Sequence, residues 1–203
     1  MTPSERPTFW IVGGPNGSGK SSLYGKTEFE AFDQSIWIIN PDLLTRRIQE
    51  VERLSLSEAN IQAVVRIEAW LEATIRAHQT VGVETVLSTN KYRRLVSLAK
   101  KYDFEFRLIF VMLTSADLNV QRVKLRVEKG GHDVPEAKIR QRWLRSLGNL
   151  LWFLEQADQA AIFDNSGAKP RLVGPKQNHI TVIDSDAPPA LLNALGLLSE
   201  TPP

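Results

Sequence analysis

Residues 14–21 have the residue types and the spacing of a phosphate-binding loop. They read Gly-Pro-Asn-Gly-Ser-Gly-Lys-Ser and fit the pattern G-x-x-x-x-G-K-[S/T]. The glycines let the backbone curl so that successive N–H groups point inward, Lys20 would reach the β- and γ-phosphates, and the Ser21 hydroxyl would bind Mg²⁺. The sequence therefore predicts a nucleoside triphosphate site. Its predicted binding residues are Gly14, Pro15, Asn16, Gly17, Ser18, Gly19, Lys20, Ser21 and Ser22.

Two acidic residues, Asp42 and Glu84, are candidates for chemistry beside this loop. Asp42 follows a predicted strand, and the carboxyl ends of parallel strands meet at one edge of a sheet, so Asp42 would come within reach of an acceptor hydroxyl that it could orient or deprotonate. Glu84 interrupts an apolar segment, where a carboxylate is costly unless it is paired or lines a cleft. The alternatives are an ordinary helix N-terminal carboxylate for Asp42 and an outward-facing polar side chain for Glu84.

Basic residues are concentrated in the following stretch of the chain: Arg122, Lys124, Arg126, Lys129, Lys138, Arg140, Arg142 and Arg145. Gly130-Gly131 lies between two predicted helices, and we interpret residues 126–145 as a movable lid. Arginines on such a lid would close over the nucleotide and neutralise charge that develops on a transferred phosphoryl group. For most of these residues a solvated, charged helix face is the alternative.

The end of the fourth predicted strand narrows the class of nucleotide-dependent protein. It reads Val-Met-Leu-Thr-Ser and lacks the acidic residue that many motor and switch NTPases place there to hold Mg²⁺ and water. This absence disfavours a motor ATPase. It favours a small-molecule kinase, in which the hydroxyl of the acceptor supplies the nucleophile.

Alternating strands and helices must position these residues. Short apolar, β-prone runs predict strands at residues 8–12, 35–39, 81–87, 106–113, 161–163 and 180–183. Helical spacing and capping residues predict helices from about residue 20, from residues 40–42, over 57–78 with Ser57 as the N-cap, over 91–102, from Thr114 or Ser115 to 129, over 135–157, and a short one after residue 186. A helix face is predicted for Ile61, Val64, Ile67, Leu71 and Ile75.

This alternation predicts an α/β fold with a mostly parallel sheet and helices on both faces. No repeat, low-complexity segment or Gly/Ser-rich linker divides the 203 residues, so we expect a single domain over residues 1–203, with the lid region at about 126–145 and a C-terminal tail at 186–203.

Composition excludes several other classes of protein. The chain has no cysteine and three scattered histidines, which excludes disulfides and disfavours a zinc site. Its 25 Lys and Arg against 23 Asp and Glu give a formal charge of only +2, so nucleic acid is an unlikely partner. No apolar run is long enough to span a membrane and the N-terminal residues lack a signal-peptide core, which predicts a cytoplasmic protein.

Five segments, taken in order, resemble the zeta-toxin-like family of small P-loop kinases. They are Ile-Val-Gly-Gly-Pro-Asn-Gly-Ser-Gly-Lys-Ser-Ser (11–22), Ile-Asn-Pro-Asp (39–42), Glu-Thr-Val-Leu-Ser (84–88), Gly-Gly-His-Asp-Val-Pro (130–135) and Asp-Asn-Ser (164–166). The resemblance spans about residues 8–175. It implies a P-loop kinase-like three-layer sandwich, ATP and Mg²⁺ as cofactors, and phosphorylation of a hydroxyl on a sugar nucleotide, which in the toxins is UDP-N-acetylglucosamine. An antitoxin protein is the partner that the resemblance implies.

The same resemblance assigns roles to individual residues. Lys20 and Ser21 take the nucleotide and metal roles, Asp42 matches the catalytic base, and Glu84 matches the acid that holds the acceptor. Their motif neighbours Asn40 and Thr85 are predicted to bind the substrate as well. Two lid arginines contact the phosphates in the toxins, and among the candidates we select Arg126 and Arg142.

Three alternatives to this function remain open at the level of sequence. One is a kinase for another small molecule or nucleotide on the same fold. A second is a non-catalytic ATP-binding sensor that presents a surface to a partner. A third is a nucleic-acid end kinase, which would use the basic lid on a phosphate backbone and show steep salt dependence.

Overall fold

The computed structural model describes residues 6–24, 37–131, 133–177 and 180–197. The strands are β1 (Thr8–Gly13), β2 (Ile38–Ile39), β3 (Val81–Thr85), β4 (Glu105–Met112), β5 (Gln159–Asp164), β6 (Arg171–Gln177) and β7 (Ile180–Thr181). The helices are α1 (Lys20–Tyr24), α2 (Pro41–Glu52), α3 (Leu56–Arg76), α4 (Arg93–Lys101), α5 (Ala116–Glu128), α6 (Glu136–Gln156) and α7 (Pro189–Ala194).

The strands form one sheet in the order β2-β3-β1-β4-β5-β6-β7. The first five strands in this order pair in parallel, and β6 and β7 add to the β5 edge in antiparallel fashion. Because these five strands run in the same direction, the loops that follow β2, β3, β4 and β5 begin at the same edge of the sheet as the loop after β1. The predicted mostly parallel α/β fold is confirmed.

Helices cover both faces of the sheet, as the central strand shows. All six residues of β1 are buried. Phe9 and Ile11 pack in the main core with side chains from α3, α4 and α6, whereas Trp10 and Val12 pack with Leu23 of α1 on the opposite face. A strand that is buried on both sides reads as a continuous apolar run, which is how β1 reads in the sequence.

The predicted start of α3 and its predicted buried face need correction. The N-cap is Ser55, not Ser57: its hydroxyl accepts from the backbone N–H of Glu58, whose side chain accepts from the Ser55 backbone in return. Ile61 and Val64 are exposed, because α3 turns Ala59 and Ala63 toward Ile48 of α2 instead. Small residues at this contact let the two helices approach closely.

The C-terminal part of the sheet also differs from the prediction. β6 was not predicted, because Gly174 and Pro175 interrupt its sequence and both residues disfavour strands. It lies between β5 and β7, which the sequence analysis predicted as consecutive strands. β3 ends at Thr85 rather than at Leu87, which has a left-handed backbone with φ of 60°. Residues 35 and 36 of the predicted second strand lie outside the described residues.

None of the described helices combines the length and the apolar character that crossing a membrane requires.

Candidate active site

The loop between β1 and α1 has the conformation that the phosphate-loop motif predicts. Gly14, Gly17 and Gly19 all have positive φ angles, of 144°, 79° and 92°. A Cβ atom on Gly14 would lie 2.0 Å from the backbone oxygen of Val111, so this loop packs directly against β4. Glycine is therefore required at position 14 both for backbone conformation and for space.

Lys20 is almost completely buried at the base of this loop. Its Nζ donates hydrogen bonds to the backbone oxygens of Gly14 at 2.6 Å and Pro15 at 3.1 Å, and it lies 4.0 Å from Oε1 of Glu84. Burial lowers the pKa of Lys20, and the nearby carboxylates of Glu84 and Asp42 oppose this effect. The lysine is thus held where an anionic ligand of the loop would stabilise its charge.

Glu84 is at the carboxyl end of β3 and connects three elements of the site. In the sheet register it lies beside Val12, so its side chain is on the α1 face of the sheet. The Ser21 hydroxyl donates to Oε2 of Glu84 at 2.8 Å, and the side-chain amide of Asn40 donates to the same oxygen at 3.0 Å. This network explains how an acidic residue is accommodated in an otherwise apolar strand.

Asp42 is in the first turn of α2, and Asn40 is the N-cap of that helix. The Asn40 side-chain oxygen accepts from the backbone N–H groups of Asp42 at 2.9 Å and Leu43 at 3.4 Å. The Asp42 side chain is exposed and lines the same cleft as Lys20 and Glu84. The predicted convergence of these three side chains on one site is present in the structure.

The cleft has a volume of about 1120 Å³. On the side of β2 and β3 it is lined by Asn40, Asp42, Arg46, Glu84, Thr85 and Lys91, together with Ser88 and Thr89. On the other side, α5, α6 and the loop after β5 contribute Arg122, Arg126, Lys129, Arg142, Asn165 and Gly167. From the predicted phosphate-loop set, Asn16, Gly17, Gly19, Lys20, Ser21 and Ser22 line the cleft, whereas Gly14, Pro15 and Ser18 are buried beneath it.

The two arginines selected from the lid region, Arg126 and Arg142, both line the cleft. Nη1 of Arg142 donates to the side-chain oxygen of Asn16 in the phosphate loop at 3.1 Å. Arg140 instead pairs with Asp117 and Glu136 on the outer surface, and it is not among the residues that line the cleft. Arg145 does not line the cleft either.

The second glycine of the Gly130-Gly131 pair provides room for Arg126. A Cβ atom on Gly131 would lie 2.5 Å from Cγ of Arg126 and 2.8 Å from its backbone oxygen. At Gly130, by contrast, no atom lies within 4 Å of such a Cβ, although φ is 81°. Gly131 thus allows the chain to pass closely over Arg126. His132 lies outside the described residues.

Several polar residues that the sequence reasoning did not select hold the phosphate loop. The side-chain amide of Asn165 donates to the backbone oxygen of Ser18 at 2.8 Å, and Arg122 donates to the backbone oxygen of Asn165 at 2.7 Å. The amide of Asn119 donates to the backbone oxygen of Asn16 at 2.6 Å. For Asn165 the available signal was the Asp-Asn-Ser segment (164–166) of the family resemblance, to which the sequence reasoning assigned no site role.

The loop after β3 is held by α6. The buried Ser146 hydroxyl donates to the backbone oxygen of Val86 at 2.8 Å, and the Asn149 amide donates to that of Leu87 at 3.2 Å. These bonds support the left-handed backbone of Leu87, whose side chain is buried. Because Arg142 is one turn earlier on α6, the same helix contacts both the phosphate loop and the loop after Glu84.

Comparison with known proteins identifies the family to which the chain belongs. A model of the AAA domain family matches residues 9–147, from β1 into α6, which is more than half of the chain. The chain belongs to this family. The match includes the phosphate loop, Asp42, Glu84 and both selected arginines.

Individual relatives of this AAA domain protein show which fold it shares. An uncharacterized protein from Haemophilus influenzae is 28% identical over 133 residues, which is 64% of this chain and 88% of the relative. A structure from the PezAT chromosomal toxin–antitoxin system of Streptococcus pneumoniae is similar with a TM-score of 0.60 at 18% identity, over 80% of this chain and 69% of that one. A chain of the AvrRxo1-ORF1:-ORF2 complex, solved with ATP, has a TM-score of 0.69 at 16% identity, over 98% of this chain and 66% of that one. At these identities, the structural similarities indicate a shared P-loop kinase-like fold.

Proposed function

We propose that this AAA domain protein transfers the γ-phosphoryl group of ATP to a hydroxyl of a small acceptor. The observation that carries the proposal is that Lys20 and Ser21 of a phosphate loop and the carboxylates of Asp42 and Glu84 lie on one cleft. A protein that only sensed ATP would need the loop, whereas transfer to a hydroxyl also needs a base beside it, which Asp42 can supply.

The residues of the cleft suggest how the transfer proceeds. The acceptor oxygen forms a bond to the γ-phosphorus, the bond from that phosphorus to the β–γ bridging oxygen breaks, and ADP leaves. The proton of the acceptor hydroxyl passes to the carboxylate of Asp42, which acts as the general base. Lys20, Arg126 and Arg142 stabilise the negative charge that is spread over the phosphoryl oxygens during transfer.

Mg²⁺ fits the donor atoms at this site. The hydroxyl of Ser21 and the carboxylate of Glu84 offer the oxygen ligands that Mg²⁺ prefers, and they already lie within hydrogen-bond distance of each other. Among the described residues, no three His, Asp or Glu side chains cluster as a metal cage. Mg²⁺ would therefore be held by the Ser21 hydroxyl together with phosphate oxygens and water, and it would neutralise phosphate charge.

A sugar nucleotide such as UDP-N-acetylglucosamine is the acceptor that we propose to test first. The support is the zeta-toxin-like order of motifs in the sequence, together with the fold that this chain shares with a structure from a toxin–antitoxin system. In this proposal Glu84, Asn40 and Thr85 contact the acceptor, since all three line the cleft next to Asp42.

The decisive experiment measures ADP release by the purified protein with ATP and Mg²⁺, with and without UDP-N-acetylglucosamine. Mass spectrometry of the sugar nucleotide detects an added phosphate, and Lys20→Ala is the control. Turnover that depends on the acceptor, yields the added phosphate and is lost in Lys20→Ala would support the kinase and its substrate. ATP binding without transfer to any member of an acceptor library would favour the sensor function instead.

A toxin-like role with an antitoxin partner is a separate part of the proposal. It is supported by the zeta-toxin-like order of motifs and by the fold shared with the toxin–antitoxin structure. Growth arrest of a bacterial host that expresses the wild-type chain, with normal growth of a host that expresses Lys20→Ala, would support it. Normal growth with the wild-type chain at equal expression would argue against it.

A further inference from the structure

Two cations line the cleft on the side away from the basic residues of α5 and α6. Arg46 is four residues after Asp42 on α2, so both side chains lie on the same helix face, and both line the cleft. Lys91 lies after β3 in the loop that also contributes Ser88 and Thr89 to the lining. The sequence analysis selected neither residue.

Neither cation forms an ion pair with a carboxylate in the part of the chain that the structure describes. Among the residues that the structure describes, no Asp or Glu oxygen lies within 4.0 Å of the charged nitrogens of Arg46 or Lys91. Lys91 is half-buried with its Nζ 4.6 Å from the centre of the Tyr92 ring, and burial lowers its pKa against a weaker opposing effect of Glu68. Holding a partly desolvated cation without a carboxylate partner costs free energy, which an anionic ligand would offset.

The residues proposed to hold the phosphates of ATP do not include these two cations. In the proposed function those phosphates contact the phosphate loop and Lys20, with Arg126 of α5 and Arg142 of α6 beside them. In the sheet order, the elements that carry Arg46 and Lys91 follow β2 and β3, whereas the basic residues of α5 follow β4 on the opposite side of β1. An anion bound by Arg46 and Lys91 would therefore lie on the Asp42 side of the cleft.

We propose that Arg46 and Lys91 bind a phosphate or diphosphate group of the acceptor, so that the acceptor is an anionic molecule rather than a neutral sugar or alcohol. This inference rests on the proposed function, because it places the acceptor beside Asp42. Since Arg46 is four residues, about 6 Å along α2, from Asp42, a compact acceptor can present its hydroxyl to Asp42 and its phosphate to Arg46. Ser88 and Thr89 supply hydroxyl donors next to Lys91 for the same group.

Binding of inorganic pyrophosphate tests the site without any need for turnover. The full chain is first saturated with the non-hydrolysable analogue AMP-PNP and Mg²⁺, and pyrophosphate is then titrated by calorimetry. We expect pyrophosphate to bind to the wild-type protein about tenfold more tightly than to Arg46→Gln or Lys91→Gln, since each substitution removes one charge-assisted contact. The affinity for AMP-PNP should be the same in all of them.

Arg47→Gln is the matched control, because Arg47 is adjacent on α2 but has a largely exposed side chain that pairs with Glu50 outside the cleft. It should bind pyrophosphate as the wild type does. The inference would be overturned if pyrophosphate did not bind to the loaded wild-type protein, or if Arg46→Gln and Lys91→Gln bound it as tightly as the wild type. A loss of AMP-PNP affinity in these two variants would also overturn it, because the two cations would then belong to the ATP site.

Acceptor assays then separate this inference from the proposed function and identify the source of the phosphate. N-acetylglucosamine, N-acetylglucosamine 1-phosphate and UDP-N-acetylglucosamine are compared as acceptors. The site is supported if either anionic compound is phosphorylated and Lys91→Gln raises the KM for it about tenfold with little change in kcat. The better acceptor of the two shows whether the bound phosphate belongs to a sugar phosphate or to a nucleotide-linked sugar. Preferred use of the neutral sugar overturns it. If pyrophosphate binds through Arg46 and Lys91 but no acceptor is phosphorylated, the proposed function fails and the anion site remains.

Discussion

The side-chain amide of Asn40 donates a hydrogen bond of 3.0 Å to Oε2 of Glu84, while its oxygen caps the helix that carries Asp42. One residue therefore connects the carboxylate of Glu84 to the backbone of the helix turn that carries Asp42. Both ends of the amide are used, so Asn40 works as a rigid connection between the carboxyl end of β3 and the first turn of α2. Its position before Pro41 favours the extended backbone that an N-cap needs.

Asn40→Ser should separate the two uses of this residue. Serine is also a favourable N-cap, so α2 should keep its stability, but serine cannot donate to Glu84 from the same position. We expect kcat to fall about 10- to 100-fold, because a displacement of a reacting group by about 1 Å can cost this much, with a melting temperature close to that of the wild type. Asn40→Ala, which removes the cap as well, should lower both. An unchanged kcat in Asn40→Ser would show that the connection to Glu84 does not matter for the reaction.

Asp42→Asn should abolish transfer but leave nucleotide binding intact. The amide has nearly the same shape as the carboxylate and keeps the helix start, but it cannot accept the hydroxyl proton. We expect kcat to fall about 10²- to 10⁴-fold, the typical contribution of a general base, with an unchanged affinity for AMP-PNP. Glu50→Gln is a suitable control, since it removes the same charge from α2 outside the cleft. Full activity of Asp42→Asn would require a different base.

Much of the site could be predicted because its signals are local or follow from parallel topology. The phosphate loop is a contiguous motif, and the loops after parallel strands meet at one edge, which correctly brought Asp42 and Glu84 to the cleft. The hydrogen bond from Ser21 to Glu84 could not be predicted, because it depends on β3 lying next to β1 with Glu84 opposite Val12. Strand order and register are properties of the whole sheet.

Other features gave no sequence signal or a misleading one. Ser146 is an isolated serine within a long helix, and only the packing of α6 against the loop after β3 gives it a partner in Val86. Strand β6 contains Gly174 and Pro175, and its pairing with both β5 and β7 outweighs their low strand propensity. In each case tertiary contacts decided the structure.

Gly131→Ala should impair catalysis through Arg126. Its new methyl group would occupy the space of the Arg126 side chain, whereas Gly130→Ala would meet no atom and only strain a positive φ, at a cost of about 1 kcal/mol. For Gly131→Ala we expect about a tenfold lower kcat and also a lower melting temperature, since the new Cβ meets the backbone oxygen of Arg126 as well. For Gly130→Ala we expect only a slightly lower melting temperature. The effect on kcat should disappear in an Arg126→Gln background, because Gly131 acts through that side chain. Additive effects of the two substitutions would contradict this.

Lys20 should make the stability of the protein depend on pH in a defined direction. Burial lowers the pKa of Lys20 below its ordinary value of 10.5, which the unfolded chain retains. Between the lowered value and 10.5 the unfolded state binds more protons than the folded state, so the free energy of unfolding rises with pH across this window. Lys20→Met removes this contribution. Chemical denaturation of both proteins at a series of pH values should therefore show the stability of the wild type, relative to Lys20→Met, increasing toward pH 10.5. Lys124→Met, at an exposed position on α5, is the control for the loss of a lysine. If the difference in free energy of unfolding between the wild type and Lys20→Met stays constant or falls with pH, the folded protein does not disfavour the protonated form of Lys20.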